Sequence, residues 1–249
     1  MIDVVARSRA CCVVWLAVSS AMSGCASSQA TTPAWQVLFD GSDLSQWTGL
    51  GRPDFPTDSW QIAGDTLHKV ASSEKTYGGD LRTTERFKNF ELCFEFKLTQ
   101  GANSGVKYNV SEEMSAQEGH PSAAIGFEFQ VLDDRYHPDA KQGRDRNRTV
   151  GALYDIYPPA VNKPVVAAGD WHEGCVWAET DQIRHTLDGE TVLAYRLSDP
   201  DFVSKVAASK FASIDGFALR REGFIVLQDH FDELWYRNIR VRRLDSWGK

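Results

Sequence analysis

Glu128 stands in the segment Phe-Glu-Phe-Gln-Val-Leu-Asp over residues 127–133, a carboxylate between aromatic neighbours. In an extended strand alternate side chains share a face. Phe127, Phe129 and Val131 therefore point one way, and Glu128, Gln130 and Leu132 the other. A carboxylate beside so much apolar surface is costly to bury without a partner or a task. Glu128 is the first candidate for a general base or a metal ligand; a salt-bridged or surface glutamate is the plain alternative. His230 and Asp229 follow the apolar stretch Phe224 to Leu227. A histidine there can move protons near neutral pH or bind a metal through its neutral ring, or simply cap backbone groups. Lys107 lies on the polar side of the alternating segment Gly105 to Val110 and offers a cation. A base, a proton carrier and a cation are the parts that proton transfer needs.

Further candidates surround these. Asn103 and Ser104, between Gly101 and Gly105, read as a tight polar turn that could present Asn103 to a ligand. The stretch Asp133 to Arg148, DDRYHPDAKQGRDRNR, holds His137 and Arg144 and reads as a lid or pocket wall. No Cys-x-x-Cys or His-Glu-x-x-His spacing marks a zinc site, and no dinucleotide or phosphate-loop glycine motif is present.

The elements that must position these residues are strands. Period-2 alternation runs through Glu91–Leu98, with Leu92, Phe94, Phe96 and Leu98 on one face, and through Gly105–Val110, with Val106, Tyr108 and Val110 on one face. Trp171–Glu179 and Gln182–Leu187 form an expected hairpin, and Asp188-Gly189 a tight turn into Glu190–Tyr195. Phe224–Gln228 has the composition of a strand buried between layers, and Leu234–Leu244 is a final long strand. One short helix is expected, from Pro200 to about Ala208. Eight tryptophans, nineteen glycines and many short strands predict an all-β antiparallel sandwich or jelly roll. The net charge of −7 with no Lys/Arg run argues against a nucleic-acid backbone as partner.

Residues 1–24 read as a lipoprotein signal peptide. Arg7 and Arg9 precede an apolar run from Ala10 to Met22, too short to span a bilayer, and Met22-Ser-Gly-Cys25 resembles a lipoprotein box. Cys25 is the expected lipidation site, residues 25–33 the lipidated cysteine and tether, and 34–249 one folded domain. A bacterial envelope location follows, with a lipid anchor as the membrane contact and the outer membrane favoured because Ala26 follows the cysteine. Cys93 and Cys175 remain in the folded part, where they can pair or stay as separate buried thiols.

Five segments jointly resemble the 3-keto-disaccharide hydrolase family: VLFDGSDLSQW from Val37, GGDLRTTERFKNFEL from Gly78, GANSGVKY from Gly101, FEFQVLDD from Phe127 and VLQDHFDELWYRNIRV from Val226. The resemblance spans about residues 35 to 245. Trp171-His172, Asp188-Gly189 and Phe231 depart from the usual Trp-Asn, Asn-Gly and Gly; the first and last bear on pocket lining. The family implies a concanavalin A-like jelly roll acting on glycosides with a ketone at C3. That ketone acidifies C2–H, so a base can remove the proton and the enolate can expel the C1 leaving group, with water adding later. On this basis Glu128, His230 and Lys107 are the expected catalytic set, with Lys107 polarising the ketone. Asn103, Gln130, Asp229, Arg144, His137, Tyr154 and Trp177 are the expected substrate contacts, the two aromatics as stacking platforms. The sequence requires no cofactor; a divalent metal is left open. The substrate is an oxidised oligosaccharide or glycoside, so a sugar 3-dehydrogenase must act upstream. Two other readings stand: a two-carboxylate glycosidase, whose strand pattern here would be Glu128-x-Gln130-x-x-Asp133, and a glycan-binding lipoprotein without turnover.

Overall fold

The chain divides into two compact units, Met1–Thr31 and Thr32–Lys249. The computed structural model describes residues 1–2, 33–117 and 124–244, so the fold below is that of the second unit. The signal peptide, Cys25 and most of the tether lie outside the described residues.

Thirteen strands are described, in chain order β1 (Gln36–Phe39), β2 (Trp47–Gly49), β3 (Trp60–Ala63), β4 (Thr66–Lys69), β5 (Leu81–Thr83), β6 (Phe90–Leu98), β7 (Asn103–Val110), β8 (Phe127–Leu132), β9 (His172–Glu179), β10 (Gln182–Leu187), β11 (Glu190–Arg196), β12 (Phe224–Leu227) and β13 (Leu234–Arg243). They form two antiparallel sheets. The larger runs β11-β10-β9-β6-β13-β4-β3, with β1 also on β13, and the smaller runs β2-β5-β12-β7-β8. The inner faces meet in one apolar core. Phe94 of β6 packs edge-on against Phe129 of β8 at 5.4 Å, and Phe90 against Tyr108 at 6.2 Å. A Cβ on Gly174 would overlap the Phe94 ring of the neighbouring strand and crowd Phe129 of the facing sheet, so glycine is needed there. This is the all-β concanavalin A-like sandwich expected, and the core faces of β6 and β8 are those the alternation assigns.

Tyr108 and His185, two polar groups inside the core, are paired. Tyr108 Oη lies 2.9 Å from His185 Nε2, and His185 Nδ1 lies 3.0 Å from Gly151 O. Burial lowers the His185 pKa to about 4, so the ring is neutral at ordinary pH. Cys93 and Cys175 face each other directly across β6 and β9 and are joined as a disulfide. The sequence left their pairing open; register decides it.

Three details differ from expectation. Asn103 and Ser104 belong to β7 and are not a turn. Val110 leaves the face of Val106 and Tyr108: Asn109 has φ of 54°, the ladder with β12 shifts there, and Val110 joins Phe224 and Val226 in a small cluster on the far side of the sheet. A helix α1 (Glu112–Gln117) accompanies the expected one, α2 (Pro200–Ala207), which starts on the Asp199 cap.

Candidate active site

The outer face of the smaller sheet carries the chemistry. Register places Lys107 opposite Glu128, Gly105 opposite Gln130 and Asn103 opposite Leu132, so these side chains share that face. Glu128 is 5% exposed. Its carboxylate folds across Gly105, where any Cβ would collide with it. The Gln130 amide donates to Glu128 Oε1 at 2.9 Å and to Ser104 O at 3.1 Å. Its other end meets the Asn103 amide at 3.2 Å. On the opposite flank Lys107 Nζ stands 3.8 Å from Glu128 Oε2 and donates to Ala124 O at 3.2 Å. The carboxylate thus has a donor on one oxygen and a cation beside the other.

A second wall comes from the chain after β8. Residues 151–154 pair along its edge: Gly151 N donates to Gln130 O at 2.9 Å and Tyr154 N to Glu128 O at 3.1 Å. This sets Tyr154 beside Glu128. Tyr154 Oη donates to Asp139 Oδ2 at 2.9 Å, and Arg148 bridges Asp139 at 2.8 Å and Asp155 at 2.9 Å. The polar stretch 133–148 is therefore a braced wall. Asp155 also accepts from Lys210 N at 2.7 Å, which holds the loop after α2 over the site. Lys210 Nζ lies 4.2 Å above the Tyr154 ring, and burial lowers its pKa despite the nearby Glu128 charge.

The third wall is the segment after β12, fixed from beneath. Lys69 and Asp229 form an ion pair at 2.8 Å with both side chains fully buried. Asp229 Oδ1 also accepts from Phe231 N at 3.0 Å, and Asp229 N donates to Asp80 Oδ1 at 2.8 Å. Burial pushes the Asp80 carboxyl up to about 6, against the pull of Lys107. Phe231 has φ of 71°, an uncommon conformation for a bulky residue and a sign of a tightly determined segment. On this support His230 points into the site.

Together these walls enclose a cavity of about 50 Å³, lined by Glu128, Gln130, Asn103, Tyr154, Lys210, Gln228 and His230. His230 also belongs to a cluster with His137 and Asp232, whose ligand atoms lie within 4.8 Å of one another. These are the residues that could hold a metal among those described. A larger groove of about 590 Å³ lies between Asp133–Tyr136 and residues 161–168. Its charged groups are engaged: Lys163 with Asp134 at 2.6 Å, and Asp133 with the amides of Gly101, Arg135 and Tyr136. The smaller cavity has the base, amides and cation that chemistry requires.

The structure gathers Glu128, Lys107, His230, Asn103, Gln130, His137 and Tyr154 in one region. Three expected contacts are corrected. Trp177 lies on β9 opposite Glu91 and Arg184, in the other sheet and outside its apolar core. Asp229 is buried in its ion pair with Lys69, and its side chain does not line the cavity. Arg144 donates to Ala208 O and lines a separate recess with Asn147, Asp201 and Lys205. Tyr154 is present, but Lys210 stands over its ring, which weakens the stacking role. His172 pairs with Asp188 at 2.8 Å and is not a lining residue. Sequence reasoning missed Lys210, Gln228, Asp232 and Asp80. Gln228, Asp232 and Asp80 sit inside the quoted motifs; Lys210 follows a helix with no local signal.

A two-sheet jelly roll with a buried carboxylate, two amides and two lysines on one outer face defines a carbohydrate-active sandwich as the class. A family model described as the 3-keto-alpha-glucoside-1,2-lyase-like domain matches residues 34–242, and the chain belongs to this family. A 3-keto-disaccharide hydrolase of Bacteroides thetaiotaomicron is 35% identical over 229 residues, covering 84% of this chain and 78% of the relative. Two solved Parabacteroides distasonis structures, provisionally described as glycosyl hydrolases, share the fold. One has a TM-score of 0.73 at 23% identity, covering 85% of this chain and 94% of the other. The second has a TM-score of 0.66 at 25% identity, covering 85% and 100%. The protein is a glycoside-cleaving enzyme.

Proposed function

We propose that the enzyme cleaves glycosides whose sugar carries a ketone at C3, by elimination across C1–C2 followed by hydration. The observation that carries this is the lone carboxylate: among the described residues lining the cavity, Glu128 is the one acid, with Gln130 two positions on. Conventional glycoside hydrolysis needs two carboxylates flanking the bond, and an amide cannot ionise. Elimination beside a ketone needs one base, an electrophile for the enolate oxygen and help for the leaving group.

Glu128 removes the C2 proton, held by Gln130 and with Lys107 as its counter-charge. The electron pair of the C2–H bond moves to the C3 oxygen. Lys210, which also lines the cavity, meets that oxygen. Collapse of the enolate breaks the C1–O bond, and water at the His230 side of the cavity supplies a proton to the departing oxygen. Water then adds to the double bond. Asn103 and Gln228 hold sugar hydroxyls. The family description and the name of the Bacteroides relative support the same substrate class.

The test is product analysis with a 3-keto-disaccharide and its unoxidised parent in heavy water. Cleavage of the keto form alone, with deuterium at C2, is expected. Cleavage of the parent would move the assignment to a two-carboxylate glycosidase, and binding without turnover to a glycan-binding protein. We propose in addition that Cys25 carries the lipid and anchors the enzyme at the outer membrane, with a sugar 3-dehydrogenase supplying the ketone. Release of a Cys25→Ser protein from the membrane fraction is the expected outcome.

A further inference from the structure

We infer that His137, His230 and Asp232 form a binding site for one divalent transition-metal ion that shares His230 with the Glu128 cavity. Two separate segments converge there. His137 opens the short 3₁₀ turn Pro138–Lys141, His230 lines the cavity, and Asp232 accepts from Asn103 N at 2.9 Å. One potential ligand atom from each lies within 4.8 Å of the others. Two imidazoles and one carboxylate favour ions such as Zn²⁺ or Mn²⁺ over Ca²⁺ or Mg²⁺, which prefer sets made of oxygen.

The groups are also free to bind. Among the described residues neither ring nitrogen of His230 makes a hydrogen bond, and Asp232 Oδ2 takes the Asn103 amide while Oδ1 takes none. Asp133 and Asp139 lie close enough to add negative potential at His137. The left-handed turn at Phe231 sits between the two ligands of the second segment, and the buried Lys69–Asp229 pair fixes that turn through Phe231 N. A strained, braced segment that presents two ligating side chains is the kind of pre-organisation a metal site uses.

Binding has one local cost. Asp139 N donates to His137 Nδ1 at 3.2 Å. A metal at Nδ1 displaces that amide by competition. A metal at Nε2 displaces it because the neutral ring then carries its proton at Nδ1. Either route loosens the His137 cap, so metal binding is coupled to the 133–148 wall.

Three protein ligands leave coordination positions open toward the cavity. Resting on the C3-ketone reading, the ion shares the ketone oxygen with Lys210 and also takes a neighbouring hydroxyl oxygen of the sugar. It acts as a Lewis acid: as Glu128 accepts the C2 proton, the C2–H electron pair becomes enolate charge on the metal-bound oxygen. Nothing is oxidised or reduced, and the metal leaves the step unchanged.

The experiment titrates Zn²⁺ into the full chain after chelator treatment, by calorimetry and thermal melting, with no sugar present. The site predicts one Zn²⁺ per chain, a raised melting temperature, and at least about a tenfold loss of affinity in His137→Ala and in Asp232→Asn. Melting of each metal-free variant against metal-free wild type reports folding. If Asp232→Asn fails to fold for want of its Asn103 contact, His137→Ala decides alone. Absence of stoichiometric binding, or wild-type affinity in the folded variants, overturns the site. Full turnover of the keto-disaccharide by metal-free protein also overturns it and leaves the elimination reading standing. Tight Zn²⁺ binding lost in the variants, in a protein that does not cleave the keto sugar, leaves the site standing and removes the reading.

Discussion

Glu128 is held by Gln130, which an amide in its place would also satisfy, and Lys107, which would lose its counter-charge, keeps its bond to Ala124 O. Gln130 can still donate to a carbonyl oxygen at that position, so Glu128→Gln should fold with a melting temperature within a few degrees of wild type. Its turnover of a keto-disaccharide should fall by roughly 10²–10⁴-fold, the range for loss of a general base. Wild-type turnover would remove Glu128 from the mechanism. On the proposed mechanism Lys210 acts on developing charge, so its loss should lower kcat more than it raises KM. Lys210→Ala is expected to reduce kcat by about tenfold or more, with partial recovery in Lys210→Arg, read by steady-state kinetics. Glu128 was legible in the sequence because alternation set it against an aromatic face. Lys210 was not, because it comes to Glu128 only through the Asp155 hydrogen bond of a distant segment.

At the scale of the element, the segment after β12 depends on the ion pair beneath it. Lys69 and Asp229 are both out of water, and a buried charge without its partner costs about 3–5 kcal/mol. Lys69→Met should therefore destabilise the fold by about that amount in urea unfolding. Adding Asp229→Asn should recover part of the loss, since a neutral amide can still accept from Phe231 N. A double variant as unstable as Lys69→Met alone would show that charge is not the cause. The strands β6 to β13 could be read from pattern to within a residue or two, whereas the short strands β1 to β5 carried no such pattern. What pattern could not show was depth. Asp229 beside His230 looked like a ligand contact, and only the partnership with Lys69, 160 positions earlier, puts it under the site. Trp177 failed for a related reason: alternation gives a face, but not which sheet the face belongs to.

Across the whole molecule, two buried groups act on pH stability in opposite directions. Asp80 has a folded pKa raised to about 6 from an ordinary 3.8, so the folded form holds its proton more tightly. Its contribution is present below about 4 and is lost as pH rises through 6. His185 has a folded pKa lowered to about 4 from 6.5, so its contribution is lost as pH falls through that window. The two offset each other between pH 4 and 6. Asp80→Asn should uncover the histidine effect, and its melting temperature should drop more steeply than wild type as pH falls below about 6. An unchanged profile would show that Asp80 is not strained by burial. The disulfide ties β6 to β9 across 82 positions. Its replacement in Cys93→Ala/Cys175→Ala should cost about 2–5 kcal/mol, seen as a lower melting temperature. The jelly roll was legible from strand count and motif order. The two-sheet register that makes the cross-link and aligns Lys107 with Glu128 is a product of long-range pairing, which local pattern does not encode.

On the proposed mechanism Glu128 takes the C2 proton of a 3-keto sugar. The direct measurement is exchange of that hydrogen with solvent deuterium, followed by magnetic resonance on a 3-keto-glycoside with wild type and Glu128→Gln. Wild type should exchange or cleave at C2 with deuterium incorporated, and Glu128→Gln should slow both by at least about a hundredfold. Exchange at the wild-type rate in Glu128→Gln, or cleavage by wild type with C2 hydrogen fully retained, would contradict the account.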